Sequence, residues 1–468
     1  MGTQGTAKRT VRVGIMTKRQ WRFALQKNGQ TTDQTVELQE GKILYNGTLH
    51  NSLTFTDLES FTLYDVDFAK KFHFGLTETE SFSGDLQFLV DAEGIVAINI
   101  LPVEEYLKSV ISSEMNADCP FELLKAHSVI SRSWLLHNSQ FTIRNSQFTI
   151  HNSQFTIRNS QPPTSDSATV QPPTSFIKWY ERDAHLLFDV CADDHCQRYL
   201  GITRQLNPNV EKAIQETETE VLMYEGEVCD TRYHKCCGGK TEAFQYVWAD
   251  TEVPYLQSVD CPYCGEATSV VLRRVLNDFD LKGKTSNPHC VHNPHSVLDT
   301  GSYYRWQVRY SQSELSELIK RKSGIDFGAI LALEPIERGL SGRISKLKIV
   351  GTKKTLVVGK ELEIRYWLAD TCLYSSDFEV CIQYSANSDT EPSSVAEKVA
   401  LDTRAYPSSV VEKDMSKEKL FVLKGRGWGH GVGLCQIGAA VMAERGFDYR
   451  QILHHYFPKA ELSQYSLS

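Results

Sequence analysis

The sequence predicts an α+β fold, and three observations carry that reading. Short runs of strand-forming residues fill the region before position 100. The apolar period then turns from strand-like to helical at Leu101. The later helices are segregated from the strands instead of alternating with them.

Residues 11–15, 21–25, 43–45 and 86–90 read as strands, separated by turn pairs such as Asn28-Gly29 and Asn46-Gly47. The longest apolar stretch, residues 94–103, is interrupted by Asn99 and Pro102. It reads as a strand leading into a helix, since a membrane span takes about 20 apolar residues. Pro102 suits a helix start, and Glu104 and Glu105 complement its positive end. Tyr106, Leu107, Val110 and Ile111 then share one face. A second helix starts at Pro120 and Glu122, with Phe121, Leu124, Ser128 and Ser131 along one side.

From Asn138 the unit Asn-Ser-Gln-Phe-Thr-Ile-Arg/His recurs three times with a period of seven, and a Pro/Ser/Thr-rich stretch follows to Ser175. Its Phe and Ile stand two apart, which is a strand-like spacing, and the segment reads as an expanded low-complexity loop. Residues 177–258 read as mixed, mostly strands. Residues 311–322 predict a helix, and 344–350, 355–358 and 378–383 predict strands. Residues 386–418 are polar with prolines, a surface excursion. Asp448 caps a helix over 449–457 that Pro458 stops.

A length of 468 residues with 41% hydrophobic and 23% charged residues suits two or three globular domains. The net charge of -8 argues against a large basic footprint for nucleic acid. The opening MGTQGTAKRT has no apolar core and does not read as a signal peptide, although Gly2 and Thr6 meet the loose N-myristoylation pattern.

Twelve cysteines in a chain this long do not make a small disulfide scaffold, and several lie near histidines, which favours metal or a mixture of metal and disulfides. His185, Cys191, His195 and Cys196 place four N/S ligands within twelve residues, a set that suits tetrahedral zinc. Four protein ligands leave no position for a reactive water, so such an ion is structural or positions its neighbours. The alternative is packed thiols or a Cys191–Cys196 disulfide. Cys261-Pro-Tyr-Cys264 looks like a redox dithiol without the βαβ context, or a second metal site with Cys290 and His292. Cys236 and Cys237 carry no assignment.

Three segments occur together: LPVEEYLKSVISSEM with PFELLKAHSVISRSWLL; YHKCCGGKTEAFQYVW followed by VPYLQSVDCPYC; and GRGWGHGVGLCQIGAAVMAERGFDYRQILHHYFP. Jointly they resemble the SpoIID/LytB family of stage II sporulation protein D and amidase enhancers. The segments SGRISKLKIVG, IRYWL and SSDFEV look like the family's central part. The resemblance covers roughly residues 82–462, interrupted by the heptad insert and the polar excursion. It implies β-rich lobes with a few helices around a substrate groove. Expected regions are 1–80, β-rich; 81–265, the core with the catalytic helix and zinc cluster, holding the 137–175 insert; 266–384, a second β-rich region; 385–418, the excursion; and 419–468, completing the core.

In catalytic members the glutamate of an A-E-M-P-like pattern is the acid. This chain has Ser113-Glu114-Met115-Asn116, so the proline is replaced. The implied reaction cleaves the MurNAc–GlcNAc bond of peptide-stripped glycan without water and leaves a 1,6-anhydro sugar. Ordinary glycosidases need two carboxylates. Here the sugar's 6-hydroxyl is the nucleophile, so one carboxyl can protonate the leaving oxygen and then accept the hydroxyl proton. Apolar neighbours such as Met115 would keep that acid protonated. Arg132 matches a family arginine and is expected at the substrate, or else in an ion pair with a neighbouring glutamate. Tyr233, His234, His430 and Gln436 complete the expected substrate-binding set; Trp428 stacks on a sugar or packs in the core. Some family members carry a similar zinc-binding His…Cys…His-Cys cluster.

The implied partners are peptidoglycan glycan strands and an N-acetylmuramoyl-L-alanine amidase, and the substrate implies a cell-envelope location. The competing readings are a non-catalytic glycan-binding amidase enhancer and a zinc hydrolase, which would need an open metal position.

Overall fold

A computed structural model describes residues 9–68, 76–115, 118–137, 175–178, 185–193, 195–202, 208–276, 304–384 and 419–465. The heptad repeats, the 385–418 excursion, Asn116, Cys290 and His292 lie outside the described residues.

Helices and strands in several sheets give the α+β architecture. Thr10–Lys18 alternates Val11, Val13 and Ile15 into the core. It pairs antiparallel with Ile95–Pro102 and parallel with Val190–Cys191 in a five-stranded sheet completed by Asp85–Val90 and Ser52–Phe55. A six-stranded sheet runs from Thr48–His50 to Leu76–Phe82, with Gln20–Lys27 and Ser60–Phe68 paired inside it. Aromatic rings join these sheets to the first helix. Phe61 stacks on Phe82, Phe82 on Tyr199, and Tyr199 on Tyr106, with centroids 5.2, 6.0 and 5.3 Å apart.

Helix α1 spans Val103–Glu114 and helix α2 spans Phe121–His137. Glu104 and Glu105 occupy the first turn of α1, and Met115 terminates it in an extended conformation. Helix α2 is buried along almost its whole length, so it is the central rod of the first core.

A second core is built from Trp306, Leu347, Trp367, Phe421 and neighbours. Its four-stranded sheet has the order Ser175–Ile177, Thr355–Gly359, Ile344–Gly351, Ile330–Arg338. In its three-stranded sheet Lys419–Arg426 lies between Arg305–Ser311 and Phe378–Tyr384. The glycine-rich segment therefore leaves the second core and crosses to the first, where Leu434–Cys435 pairs in parallel with Tyr233–His234.

The expectation of mostly strands over 177–258 is corrected. Helices Pro208–Glu216 and Phe244–Val247 interrupt strands of two to five residues. In the first, only Val210, Ala213 and Ile214 are buried, an i, i+3, i+4 set inside a polar stretch.

Candidate active site and metal-ligand clusters

Glu114 is the last residue of α1 and is partly buried. Its Oε1 accepts hydrogen bonds from the backbone N–H of Arg198 and from the Tyr233 hydroxyl, both at 3.1 Å. Lys235 Nζ donates to the backbone carbonyl of Glu114 at 3.1 Å. Three segments distant in sequence thus meet at the end of one helix. Burial, reinforced by the nearby Glu114 charge, pushes the Tyr233 hydroxyl well above its ordinary range, so it stays a donor.

The predicted Gln436 and His430 support Tyr233 rather than Glu114. The His127 ring packs edge-on against Tyr233 at 4.5 Å. Gln436 Nε2 donates to His127 Nε2 at 3.1 Å, and His127 Nδ1 bonds Ser131 Oγ at 3.1 Å. Burial first, then the charge of Lys235, lowers His127 to about 3, so the ring is neutral. Gln436 is itself 1% exposed, a support behind the tyrosine and not a groove residue.

His430 Nδ1 accepts from Val432 N–H, which assigns the proton to Nε2; that group donates to the Tyr233 carbonyl at 2.9 Å. His234 faces the opposite way on the strand; its Nδ1 donates to the Val432 carbonyl at 3.1 Å, and its ring lies 5.7 Å from that of His430. Burial and then Arg343 lower it to about 3. Burial likewise holds His430 well below its ordinary value.

The glycine-rich crossing fits only without side chains at critical points. Gly427 has φ +77°, and a Cβ there would stand 2.8 Å from the Cys236 carbonyl oxygen. At Gly433, φ +75°, a Cβ would fall onto the Arg232 carbonyl. Trp428 exchanges both backbone hydrogen bonds with Cys236, and Tyr374 meets its ring edge-on at 5.7 Å.

Arg132, expected at the substrate, sits elsewhere. It is 1% exposed. Its Nε and Nη2 form a fork on Glu104 at 2.9 and 2.7 Å, and Nη1 donates to the Glu220 carbonyl at 3.0 Å. This is the ion-pair alternative: the guanidinium clamps α2 to the first turn of α1.

Among the described residues there are two separate groups of ligand atoms, the atoms of each lying within 4.8 Å of one another, and each could hold a metal ion. In the first, His185 Nε2 is 3.4 Å and His195 Nδ1 3.5 Å from Cys196 Sγ, while His195 Nδ1 is 3.9 Å from Cys191 Sγ. Zinc bonds of ordinary length place tetrahedral N and S ligands about 3.6 Å apart, so the set fits. The cluster is pinned through Cys191, beside Gly14 in the first sheet, and it leads directly to Gln197, which accepts from Tyr106, and to Arg198 on Glu114. The second group is Cys237, Cys261, Cys264 and Cys435, all buried. The C-x-x-C pair is joined by Cys237 and Cys435, which sequence spacing did not connect to it.

Sequence reasoning also missed Lys235 and the Arg198 amide. Lys235 was legible, because it stands two residues from Tyr233 on an extended segment and shares its face. A backbone N–H carries no residue-type signal.

Residues 91–224 match the family model described as Stage II sporulation protein, and residues 242–396 match one described as a domain of unknown function (DUF8618). Over residues 91–224 the chain is therefore similar to the SpoIID family. An uncharacterized protein of Brachyspira hyodysenteriae is 24% identical across 93% of this chain and 84% of its own length. The amidase enhancer of Bacillus subtilis is 24% identical across 77% of this chain, which spans 40% of that longer protein. Stage II sporulation protein D of Bacillus amyloliquefaciens is 21% identical across 79% of this chain and 76% of its own length. The matched SpoIID segment holds Glu114, Arg132 and the His185, Cys191, His195 and Cys196 set; Tyr233, His430 and the four-cysteine group lie beyond it.

Two outcomes follow. Glu104→Ala strands a buried guanidinium and should lower stability by about 3 kcal/mol; an unchanged urea midpoint with weakened glycan binding would instead return Arg132 to the substrate. Second, below the unfolded histidine value of 6.5 the unfolded chain takes up protons that His127 and His234 refuse until about 3. Stability should therefore fall as pH drops through that window, and His127→Gln should flatten the slope in urea titrations at pH ~7 and ~4.5.

Proposed function

We propose that this chain is a lytic transglycosylase of the bacterial cell wall, cleaving the MurNAc–GlcNAc bond of peptide-stripped glycan strands to leave 1,6-anhydroMurNAc ends. The observation that supports it best is the carboxyl of Glu114, held at a helix end by the Tyr233 hydroxyl and the Arg198 amide. Both of these donors address Oε1. The proton that the reaction moves is the carboxyl's own.

That proton passes to the glycosidic oxygen as the C1–O bond breaks. The 6-hydroxyl of MurNAc closes on C1 and returns its proton to Glu114. No water is consumed, and the carboxyl ends as it began. Tyr233 and the Arg198 amide stabilise the carboxylate while it is charged. His430, Gln436 and His127 hold Tyr233 in place, and His234 supports the same strand.

His185, Cys191, His195 and Cys196 would hold a zinc ion with a closed coordination sphere. The ion would fix the turn that aims the Arg198 amide at Glu114. The substrate implies action in the cell envelope, with an amidase that strips stem peptides as the cooperating enzyme. A relative's name, amidase enhancer, supports that partnership.

Purified protein incubated with peptide-free glycan strands should yield anhydro ends by mass spectrometry. Glu114→Gln should lower the rate by about 10²–10⁴-fold. Tyr233→Phe should lower it by about 10- to 100-fold, the loss of one charge-assisted hydrogen bond, with folding retained. Reducing ends instead of anhydro ends would mean hydrolysis. No cleavage, combined with stimulation of an amidase, would point to the non-catalytic enhancer.

A further inference from the structure

We propose that Cys237, Cys261, Cys264 and Cys435 form a tetrathiolate site for one zinc ion, separate from the His185 cluster and independent of the reaction proposed above. The four sulfurs lie within 4.8 Å of one another, and each residue is at most 1% exposed. Four sulfurs around one ion with bonds of ordinary length stand about 3.8 Å apart. Sulfurs ligating different metals of a polynuclear cluster are spread more widely, so the spacing favours a single ion. Four soft thiolates in a tetrahedron select zinc or iron, and zinc needs no redox partner.

The surroundings are those of thiolates. Cys237 N–H points at Cys435 Sγ at 3.3 Å, Gly239 N–H at Cys237 Sγ at 3.4 Å, and Gly438 N–H at Cys435 Sγ at 3.4 Å. The Tyr456 hydroxyl lies 3.2 Å from Cys261 Sγ. Cys435 also caps the Gln436–Glu444 helix, whose positive end faces the cluster. These donors offset the negative charge that four thiolates leave on a divalent ion. The pocket is tight as well: a Cβ on Gly438 would stand 2.6 Å from Cys261 Sγ. Binding releases the four thiol protons to solvent and changes no oxidation state.

The ligands come from three places: Cys237 just beyond the strand Tyr233–His234, Cys261 and Cys264 at the start of and within the turn Pro262–Glu266, and Cys435 in the strand Leu434–Cys435. One ion would staple together segments that are also joined by the short Tyr233–His234 pairing with Leu434–Cys435 and by the bridges Cys236–Trp428 and Glu242–Val432. Cys236 is buried within reach of Cys264 and Cys435, but its backbone is committed to Trp428, and it falls outside the mutually close set.

The test is elemental analysis of the full chain purified under reducing conditions. Cys261→Ser/Cys264→Ser should lose about one zinc per chain, and Cys236→Ser should lose none. Zinc bound at His185 should be removed by Cys196→Ser alone, which keeps the two sites distinguishable. Should the double variant fail to fold, the wild-type protein stripped of metal and titrated with Co²⁺ should show the intense thiolate-to-cobalt absorption of an all-sulfur tetrahedral site. Zinc content unchanged in the folded double variant, iron in place of zinc, or Cys237–Cys264 or Cys261–Cys435 disulfides on non-reducing peptide maps would overturn the assignment.

Discussion

The candidate site depends on one short parallel pairing, Tyr233–His234 against Leu434–Cys435. It closes a loop of roughly 200 residues, and the entropy of loop closure must be offset by burial elsewhere, here in the continuous first core. The pairing places Tyr233 on Glu114, His430 under the Tyr233 carbonyl, and Gln436 behind His127. Without it, the carboxyl at the end of α1 would lose the Tyr233 hydroxyl as a donor to Oε1.

Buried charges hold the parts in register. Arg132 ties α2 to α1 through Glu104. The Glu242 carboxylate accepts from Leu340 N–H, Ser341 N–H and the Ser341 hydroxyl, joining the first core to a turn of the second. Arg343 on that turn donates to the carbonyls of Gly429 and Cys237, on the two segments that form the crossing. Charged groups taken out of water are costly unless paired, so these contacts specify a geometry more than they add stability.

Much of the fold was legible because its signals are local. Strands at 11–15, 21–25, 43–45 and 86–90, the change of period at Leu101, and the Asp448 cap all appear in the structure. Gln30–Gln39 was missed because it is polar along nearly its whole length, with Val36 its one buried residue. Gln436–Glu444 was hidden for the opposite reason: residues 436–442 are all buried, so no amphipathic period exists.

By itself the sequence determined the α+β class, the helix that ends at Glu114, the SpoIID resemblance and the His185, Cys191, His195 and Cys196 set. Each is written in local patterns, where spacing and period are informative. The tertiary structure alone decided that Tyr233 and not His234 faces Glu114, that Arg132 is bound to Glu104, and that Cys237 and Cys435 join Cys261 and Cys264. Those outcomes come from strand pairing and burial between distant segments, and no local pattern in a single chain records which segment will lie against which.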